Sequence, residues 1–297
     1  MTEPREVVDD VYAVDTRSYG HERHTAAYLV DASEPALVET GLSTTRDRVV
    51  EALAALDVEP RYVVVTHVHL DHAGAAGYLL EEYPDAELVV REQGSPYLTD
   101  PDETERLVDS VHRAVGELAD VYGDARAVDP ERARAIKPGD EVDLGDRELR
   151  AVDAPGHAPH QVALLDTESG SLFTGDEAGM YLDGRLVQTT PPPNFDLDAN
   201  VDSLRRFRDL EPERLVYTHY GVRDDVYEAL DEYENTLQNW VKQVRSTLRD
   251  RGDADAAVEA LVERADEWAF PDDWSDRHVR ETVRMDATGV LLYLGEL

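Results

Sequence analysis

Three histidines and an aspartate lie within six positions of this chain, at His67, His69, Asp71 and His72. They directly follow Tyr62–Thr66, an almost continuous apolar segment that is typical of a buried strand. Side chains alternate along an extended segment, so His67 and His69 should point the same way. The turn into a following helix would then present Asp71 and His72 on another side. Imidazole and carboxylate groups together suit zinc and other first-row metals. The cluster therefore predicts two adjacent cation sites fed by one loop.

Three later segments also end in a potential metal ligand after a short apolar run. They contribute His157, Asp176 and His219. Because strand ends in layered α/β folds can converge at one edge, the four loops could meet there. Together they offer seven ligands, which is enough for two metal ions. The chain has no cysteine, so thiolate ligands, disulfides and cysteine nucleophiles are all excluded.

The elements around these loops read as an alternation of strands and helices. Apolar runs predict strands at 7–15, 26–31, 36–39, 62–66 and 88–90, with helices at 44–56 and 74–82. Further strands are predicted at 142–144, 148–152, 162–166, 172–174 and 214–218. This pattern favours a layered α/β core.

Two regions read as helical. Residues 96–135 are highly charged and carry an apolar stripe that includes Leu107, Val111 and Val115, so they predict a surface helix or a lid over the site. Residues 223–297 predict a helical C-terminal extension after a catalytic domain at 1–222. The extension could cover the cleft or form a homodimer contact.

The ordered set His67-x-His69-x-Asp71-His72, His157, Asp176 and His219 resembles the metallo-β-lactamase superfamily. It is most similar to the glyoxalase II and lactonase type, over about residues 8–221. The resemblance implies an α/β fold, the αββα four-layer sandwich, with a dinuclear site at one edge of its two sheets. It would hold one zinc on His67, His69 and His157, a second on Asp71, His72 and His219, and Asp176 between the two.

Two departures narrow the resemblance. Common β-lactamases have a cysteine near one metal, and this chain has none. Flavodiiron proteins have glutamate at the position of His69, so zinc is favoured, with iron or manganese as alternatives. Two such cations lower the pKa of a bound water toward about 7. Asp71 could orient that water and accept its proton.

The resulting hypothesis is a zinc-dependent hydrolase of a small ester, thioester or lactone. Tyr181 and Tyr220 lie near the ligands in sequence, and either hydroxyl could stabilise an oxyanion or simply pack. The alternatives are a phosphodiesterase of the RNase Z or nuclease kind, an iron-dependent sulfur dioxygenase, and a metal-binding protein without catalysis.

Several other residues leave two interpretations open. His160 could contact substrate or cap a turn, and the extended run Pro191–Pro193 could wall the cleft or serve as a rigid connection. The remaining histidines lack carboxylate neighbours in sequence and are expected at the surface or in structural roles. They are His21, His24, His112 and His278.

The composition limits the partners. Among 297 residues, 65 acids against 29 bases give a formal net charge of −36. This excludes the basic surface that nucleic acids or anionic membranes require. Only Lys137 and Lys242 are lysines, and such acid-rich, lysine-poor composition resembles that of extreme halophiles. The N-terminus has no apolar stretch and no run approaches the 18 or so residues that span a bilayer, so we expect a cytoplasmic protein acting on a small molecule.

Overall fold

Two β-sheets lie face to face in a computed structural model that describes residues 3–268 and 270–297. The first sheet has seven strands in chain order, β1 (Arg5–Val8), β2 (Val11–Asp15), β3 (Ala26–Val30), β4 (Ala36–Val38), β5 (Tyr62–Val64), β6 (Glu87–Arg91) and β7 (Ala133–Ile136). The later strands are β8 (Glu141–Asp143), β9 (Glu148–Asp153), β10 (Val162–Asp166), β11 (Ser171–Phe173), β12 (Met180–Leu182), β13 (Arg185–Val187), β14 (Arg214–Tyr217) and β15 (Gly221–Arg223). Strands β12 and β13 form a hairpin, and the others form a second sheet in the order β15-β14-β11-β10-β9-β8.

Helices connect and cover these sheets. They are α1 (Arg46–Leu56), α2 (Leu70–Ala73), α3 (Ala76–Glu82), α4 (Ser95–Thr99), α5 (Pro101–Val115), α6 (Ala119–Tyr122), α7 (Leu197–Asp209), α8 (Val226–Arg251), α9 (Ala254–Val262) and α10 (Asp276–Tyr293). Local sequence defines several ends. The Asp100 carboxylate accepts the first free amides of α5, and the Ser275 hydroxyl accepts that of His278 in α10. Gly252 ends α8 at a φ of 72°, a conformation that favours glycine.

The strand residues alternate between two hydrophobic layers. In β5, Val64 points between the sheets and joins Phe173 and Val216 of the second sheet. Its neighbours Val63 and Val65 point outward, as the two-residue period of a strand requires. The space between the sheets is therefore filled by one side of every central strand.

Helices cover both outer faces. Val49 and Leu53 of α1 pack with Leu37 on the outside of the first sheet, while Phe207 of α7 packs with Leu215 outside the second. The order helix, sheet, sheet, helix confirms the predicted αββα sandwich.

The C-terminal helices pack directly on this sandwich. Leu230 and Tyr233 of α8 and Leu291 of α10 belong to the same hydrophobic cluster as Leu215 and Tyr217 of β14. This confirms a helical C-terminal region and makes it part of the outer layer on the second sheet. The boundary at residues 222–223 stays a prediction.

One predicted helical region includes a strand. Residues 96–135 contain α4, α5 and α6, but their last part enters β7. There Leu88 of β6 pairs in parallel with Ala133. A free sheet edge decides this conformation, and the local charged sequence carries no sign of it. Among the described residues, no helix has both the length and the apolarity needed to cross a bilayer.

Candidate metal centre

Four strands lead to the predicted ligands at one edge of the sandwich. Strands β4 and β5 are parallel, as are β11 and β14, so their carboxyl ends lie at the same level. The loop after β5 carries His67–His72, β11 leads to Asp176 and β14 leads to His219. The loop after β9 adds His157. All seven predicted metal ligands are thus brought together.

Three imidazole rings form the first group. The His67 Nε2 and His69 Nδ1 atoms lie 2.9 Å apart, and His157 Nε2 lies 3.1 Å from the same His69 atom. Burial, followed by the charge of His157, lowers the pKa of His69 to about 3, and burial lowers that of His157 to about 4. These rings are therefore neutral near pH 7, which is the form that binds a metal.

The second group contains Asp71, His72 and His219, whose donor atoms lie within 4.8 Å of one another. The Asp71 Oδ2 atom is 3.5 Å from His219 Nε2 and 3.8 Å from His72 Nε2. This carboxylate lies at the cavity surface, whereas His72 is fully buried.

Asp176 lies between the two groups. Its Oδ1 atom is 3.1 Å from His72 Nε2 and 3.4 Å from His219 Nε2, whereas its Oδ2 atom is 3.5 Å from His157 Nε2. Burial opposes ionisation, but His72, His219 and His157 together hold the pKa of Asp176 well below its usual range. One oxygen of this carboxylate therefore faces each group.

Two buried atoms in this arrangement, His72 Nε2 and Asp176 Oδ1, lie 3.1 Å apart but make no hydrogen bond with each other or with another group. Orphaned buried polar atoms are uncommon in folded proteins and call for an ion or a water. Their position between imidazole and carboxylate donors fits a divalent first-row cation.

The outer nitrogens of four histidines are fixed by neighbours. Nδ1 of His72 lies 3.1 Å from Glu39 Oε1, and that of His67 lies 3.0 Å from Thr66 Oγ1. Nδ1 of His219 lies 3.2 Å from the His24 carbonyl oxygen, and that of His157 lies 3.4 Å from Thr189 Oγ1. Such partners direct the other ring nitrogen, Nε2, toward the centre.

A family model for the metallo-beta-lactamase superfamily matches residues 21–219, which contain this whole arrangement. The chain belongs to that superfamily.

Individual superfamily members show how far the likeness extends. A metallo-beta-lactamase fold-containing protein of Sulfurisphaera tokodaii is 35% identical over 54% of this chain and 60% of its own length. An acyl-coenzyme A thioesterase of Gallus gallus is 29% identical over 69% of this chain and 74% of its own. A hydroxyacylglutathione hydrolase of Thermosynechococcus vestitus is 27% identical over 82% of this chain and 77% of its own length. Two of these relatives thus have the names of hydrolytic enzymes.

A solved structure supports the fold independently. The crystal structure of the superfamily protein ST1585 from Sulfolobus tokodaii covers 94% of this chain and 97% of its own, with a TM-score of 0.74 and 23% identity. The likeness includes the C-terminal helices, because it extends well beyond residue 219.

Sequence reasoning missed Glu39, a buried carboxylate at the end of β4. Its Oε1 atom contacts His72 and accepts hydrogen bonds from the hydroxyls of Thr66, at 2.5 Å, and Thr218, at 3.2 Å. It therefore ties the loops after β4, β5 and β14 together behind the ligands. The sequence signal that could have indicated Glu39 is an acidic residue directly after the apolar strand Ala36–Val38.

A second missed acid, Glu177, directly follows Asp176 and is fully buried. It accepts the backbone amides of Gly156 at 3.0 Å and His157 at 2.9 Å. Burial raises its pKa to about 7. These bonds fix the loop that presents the His157 ring.

The two candidate catalytic tyrosines lie outside the group of residues that line the cavity over the ligands. The Tyr181 ring packs on Tyr217 and under the Arg223 guanidinium, and Tyr220 lies under Arg23. The cavity is faced instead by Tyr19, Tyr97 and Tyr122. Sequence proximity to His219 did not predict this, because the chain turns away into β15 after Tyr220.

Of the other histidines, three line the cavity and His112 has a structural contact. His160, His24 and His278 all line the cavity. His24 stacks on Trp274, which in turn stacks on His278 at 4.1 Å between ring centres. His112 Nε2 contacts the Gly123 carbonyl oxygen at 2.6 Å. The predicted structural role thus fits His112, while His24 and His278 belong to the wall of the cavity.

Proposed function

We propose that this protein is a hydrolase that uses a pair of zinc ions to activate water against a small ester, thioester or lactone. The observation that carries the proposal is the Asp176 carboxylate, whose two oxygens face the two ligand groups separately. That arrangement supports two neighbouring cations better than one. Iron or manganese could occupy the same donors.

The residues that would hold the metals are those grouped by the fold. His67, His69 and His157 would bind one ion, Asp71, His72 and His219 the other, and Asp176 would bridge them. When bound, such a pair lowers the pKa of a coordinated water toward about 7 and polarises a carbonyl oxygen.

Asp71 has the position of a proton acceptor. Its side chain is 16% exposed, and its Oδ2 atom lies 3.5 Å from His219 Nε2. It can therefore accept a hydrogen bond from the attacking water, orient it and take its proton. Two half-buried tyrosines, Tyr19 and Tyr122, lie near the same carboxylate, with their ring centres 5.6 Å apart. Either hydroxyl could donate a hydrogen bond to an oxyanion.

The relatives support an acyl substrate. Relatives under 30% identical include a thioesterase that matches 69% of this chain and a hydroxyacylglutathione hydrolase that matches 82% of it. The strongly acidic surface counts against a polyanionic substrate.

The test is a substrate panel with metal content measured on the same preparation of the full chain. Thioesters, lactones, aryl esters and phosphodiesters are assayed in concentrated salt, before and after chelation and zinc readdition. We expect two zinc ions per chain and metal-dependent cleavage of acyl substrates. Full activity after metal removal would overturn the proposal, and cleavage of phosphodiesters alone would identify a nuclease. Bound iron with oxygen uptake on a persulfide would identify a dioxygenase.

We also propose that the protein is adapted to concentrated salt in the cytoplasm. A net charge of −36 repels itself strongly when the Debye length is long. That length falls from about 10 Å at 0.1 M to about 3 Å at 1 M salt. The midpoint of thermal unfolding should therefore rise as potassium chloride increases from 0.1 M to 3 M. Equal stability across the series would contradict this adaptation.

A further inference from the structure

A large cavity adjoins the ligand cluster and extends well beyond it. Its volume is about 530 Å³, with His69, Asp71 and Asp176 on one side. Cavities of roughly 300–1,000 Å³ hold entire small-molecule ligands. The space therefore exceeds what a carbonyl group and its immediate substituents need.

Two helices form another wall, on which apolar side chains lie beside a few polar ones such as Ser110, Thr282 and Thr288. Helix α5 contributes Leu107, Val111 and Ala114, and α10 contributes Met285 and Leu292. In each helix these residues recur three, four or seven positions apart, so they form one stripe along the helix. On α5 the stripe is only half-buried, and Ala114 is exposed. Val111 and Ala114 face the cavity, whereas Leu107 lines the cavity and also packs against the core cluster that includes Leu98.

The arginines of this wall are engaged elsewhere. Arg106 contacts the Glu103 carboxylate, and Arg284 contacts the Glu259 carboxylate. A third of this chain is charged, yet the helical stripe offers apolar surface to the cavity. Contiguous apolar surface of this kind marks a binding site for apolar groups.

The floor between the two sides is rigid. A Cβ atom on Gly289 of α10 would lie 1.7 Å from the Pro191 carbonyl oxygen, so α10 rests directly on the Pro191–Pro193 segment. Each proline also restricts the backbone of this segment, which lines the cavity beside α10.

We propose that this cavity binds a medium-length acyl chain, with the scissile carbonyl at the ligand cluster and the chain between α5 and α10. This rests on the proposed hydrolase function and names its substrate class. In the reaction, the bond from the acyl carbon to oxygen or sulfur breaks and a bond to the oxygen of water forms. The leaving group takes a proton, and a fatty acid is released.

The test uses 4-nitrophenyl esters from acetyl to decanoyl, with the zinc-loaded full chain in concentrated salt. Each added methylene should raise kcat/KM up to about fourfold, which corresponds to about 0.8 kcal/mol. We expect the octanoyl-to-acetyl ratio to reach about a hundredfold or more. A flat or falling series would overturn the acyl site while leaving the hydrolase function in place.

Variants localise the effect to the helical stripe. Ala114→Trp fills the cavity and should bring the octanoyl-to-acetyl ratio close to one. Asp109→Trp places the same bulk on an exposed site of α5 outside the cavity and should keep the wild-type ratio. Met285→Ala enlarges the cavity and should shift the optimum to a longer chain. Equal ratios in Ala114→Trp and Asp109→Trp would overturn the assignment.

Direct binding separates this inference from the hydrolase proposal. If the protein binds two zinc ions but cleaves no ester, the proposed hydrolase function is wrong. Calorimetry with octanoate then tests by itself whether the cavity binds an acyl chain. Wild-type protein should bind octanoate with a negative heat-capacity change, and Ala114→Trp should bind it at least tenfold more weakly. Absent binding, or equal binding by both proteins, would overturn the acyl site.

Discussion

The ligand edge and the helical wall face each other across one cavity, but the chain builds them differently. On the ligand edge, each candidate ligand lies in the loop or short helix that follows a strand, and Glu39 or Glu177 contacts the residues behind it. The wall combines α5 and α10, which lie far apart in sequence; Arg277 of α10 forms an ion pair with Glu117, just past the end of α5. The edge has the groups for water activation, whereas the wall has apolar surface that can select a substrate. Changes to the two regions should therefore affect different properties.

The largest effect is expected at Asp71, on the ligand edge. Asp71→Asn keeps the shape of the side chain but removes its negative charge and its ability to accept the proton. We expect kcat to fall by about 10²- to 10⁴-fold, with a much smaller change in the ratio between long and short acyl substrates. Steady-state kinetics on two chain lengths measures both. The matched control is Asp109→Asn on exposed α5, and a similar loss there would contradict the role of Asp71.

A smaller effect is expected behind the ligands, at Glu39. Glu39→Gln weakens the contact that directs His72 toward the metal while preserving side-chain volume. Zinc affinity should fall by about 10- to 100-fold, as measured by competition with a chromogenic chelator. Glu51→Gln, on the exposed face of α1, serves as the control. Unchanged affinity in Glu39→Gln would remove this carboxylate from the positioning network.

The wall should show its own pH dependence through His278. Burial, followed by the charge of His21, lowers the pKa of His278 to about 4, whereas an unfolded histidine titrates near 6.5. Between these values the unfolded state binds a proton that the folded state does not. The free energy of unfolding should fall as pH drops through this window, by at most about 1.4 kcal/mol per pH unit for this group.

Denaturant unfolding of wild-type protein and His278→Asn at several pH values tests this contribution. The variant should lose part of the slope between pH 6.5 and 4. Saturating zinc should leave the difference between the two proteins unchanged, because His278 lies on the wall and not among the ligands. Identical slopes would show that His278 does not contribute.

The smallest effect is expected at the Arg277–Glu117 pair that joins α10 to the end of α5. The two side chains are 56% and 80% exposed, so water and salt screen their attraction. Arg277→Ala should cost less than about 1 kcal/mol of stability in dilute salt and still less at molar salt. A larger loss in thermal unfolding would show that this ion pair, and not apolar packing, holds the wall.

Local sequence was sufficient for much of the ligand edge. Histidines and carboxylates that follow apolar strands carry their own signal, because a strand of fixed length and direction determines where the next loop emerges. The same reasoning predicted α1 and α3 to within a few residues and most strands of both sheets. It missed β7, because pairing with β6 overrides a charged segment with helical pattern.

The residues that line the cavity could not be predicted from local sequence patterns. Tyr181 and Tyr220 were chosen for closeness in sequence to ligands, yet Tyr19, Tyr97 and Tyr122 line the cavity. His24 likewise gave no sign of a role, since its contacts with Trp274 and His219 join distant parts of the chain. Such neighbours depend on how helices pack, which side-chain periodicity alone does not specify.

The sequence by itself determined the candidate ligand types, their order, a layered α/β core and a strongly acidic composition. These follow from residue chemistry and from the two-residue and 3.6-residue periods of strands and helices, whereas the four-layer sandwich was implied by the resemblance to the metallo-β-lactamase superfamily. Only the tertiary structure decided that Glu39 and Glu177 support the two ligand groups. It alone also brought α5 and α10 together as an apolar wall, because a pattern along one helix defines an apolar face but not what that face meets.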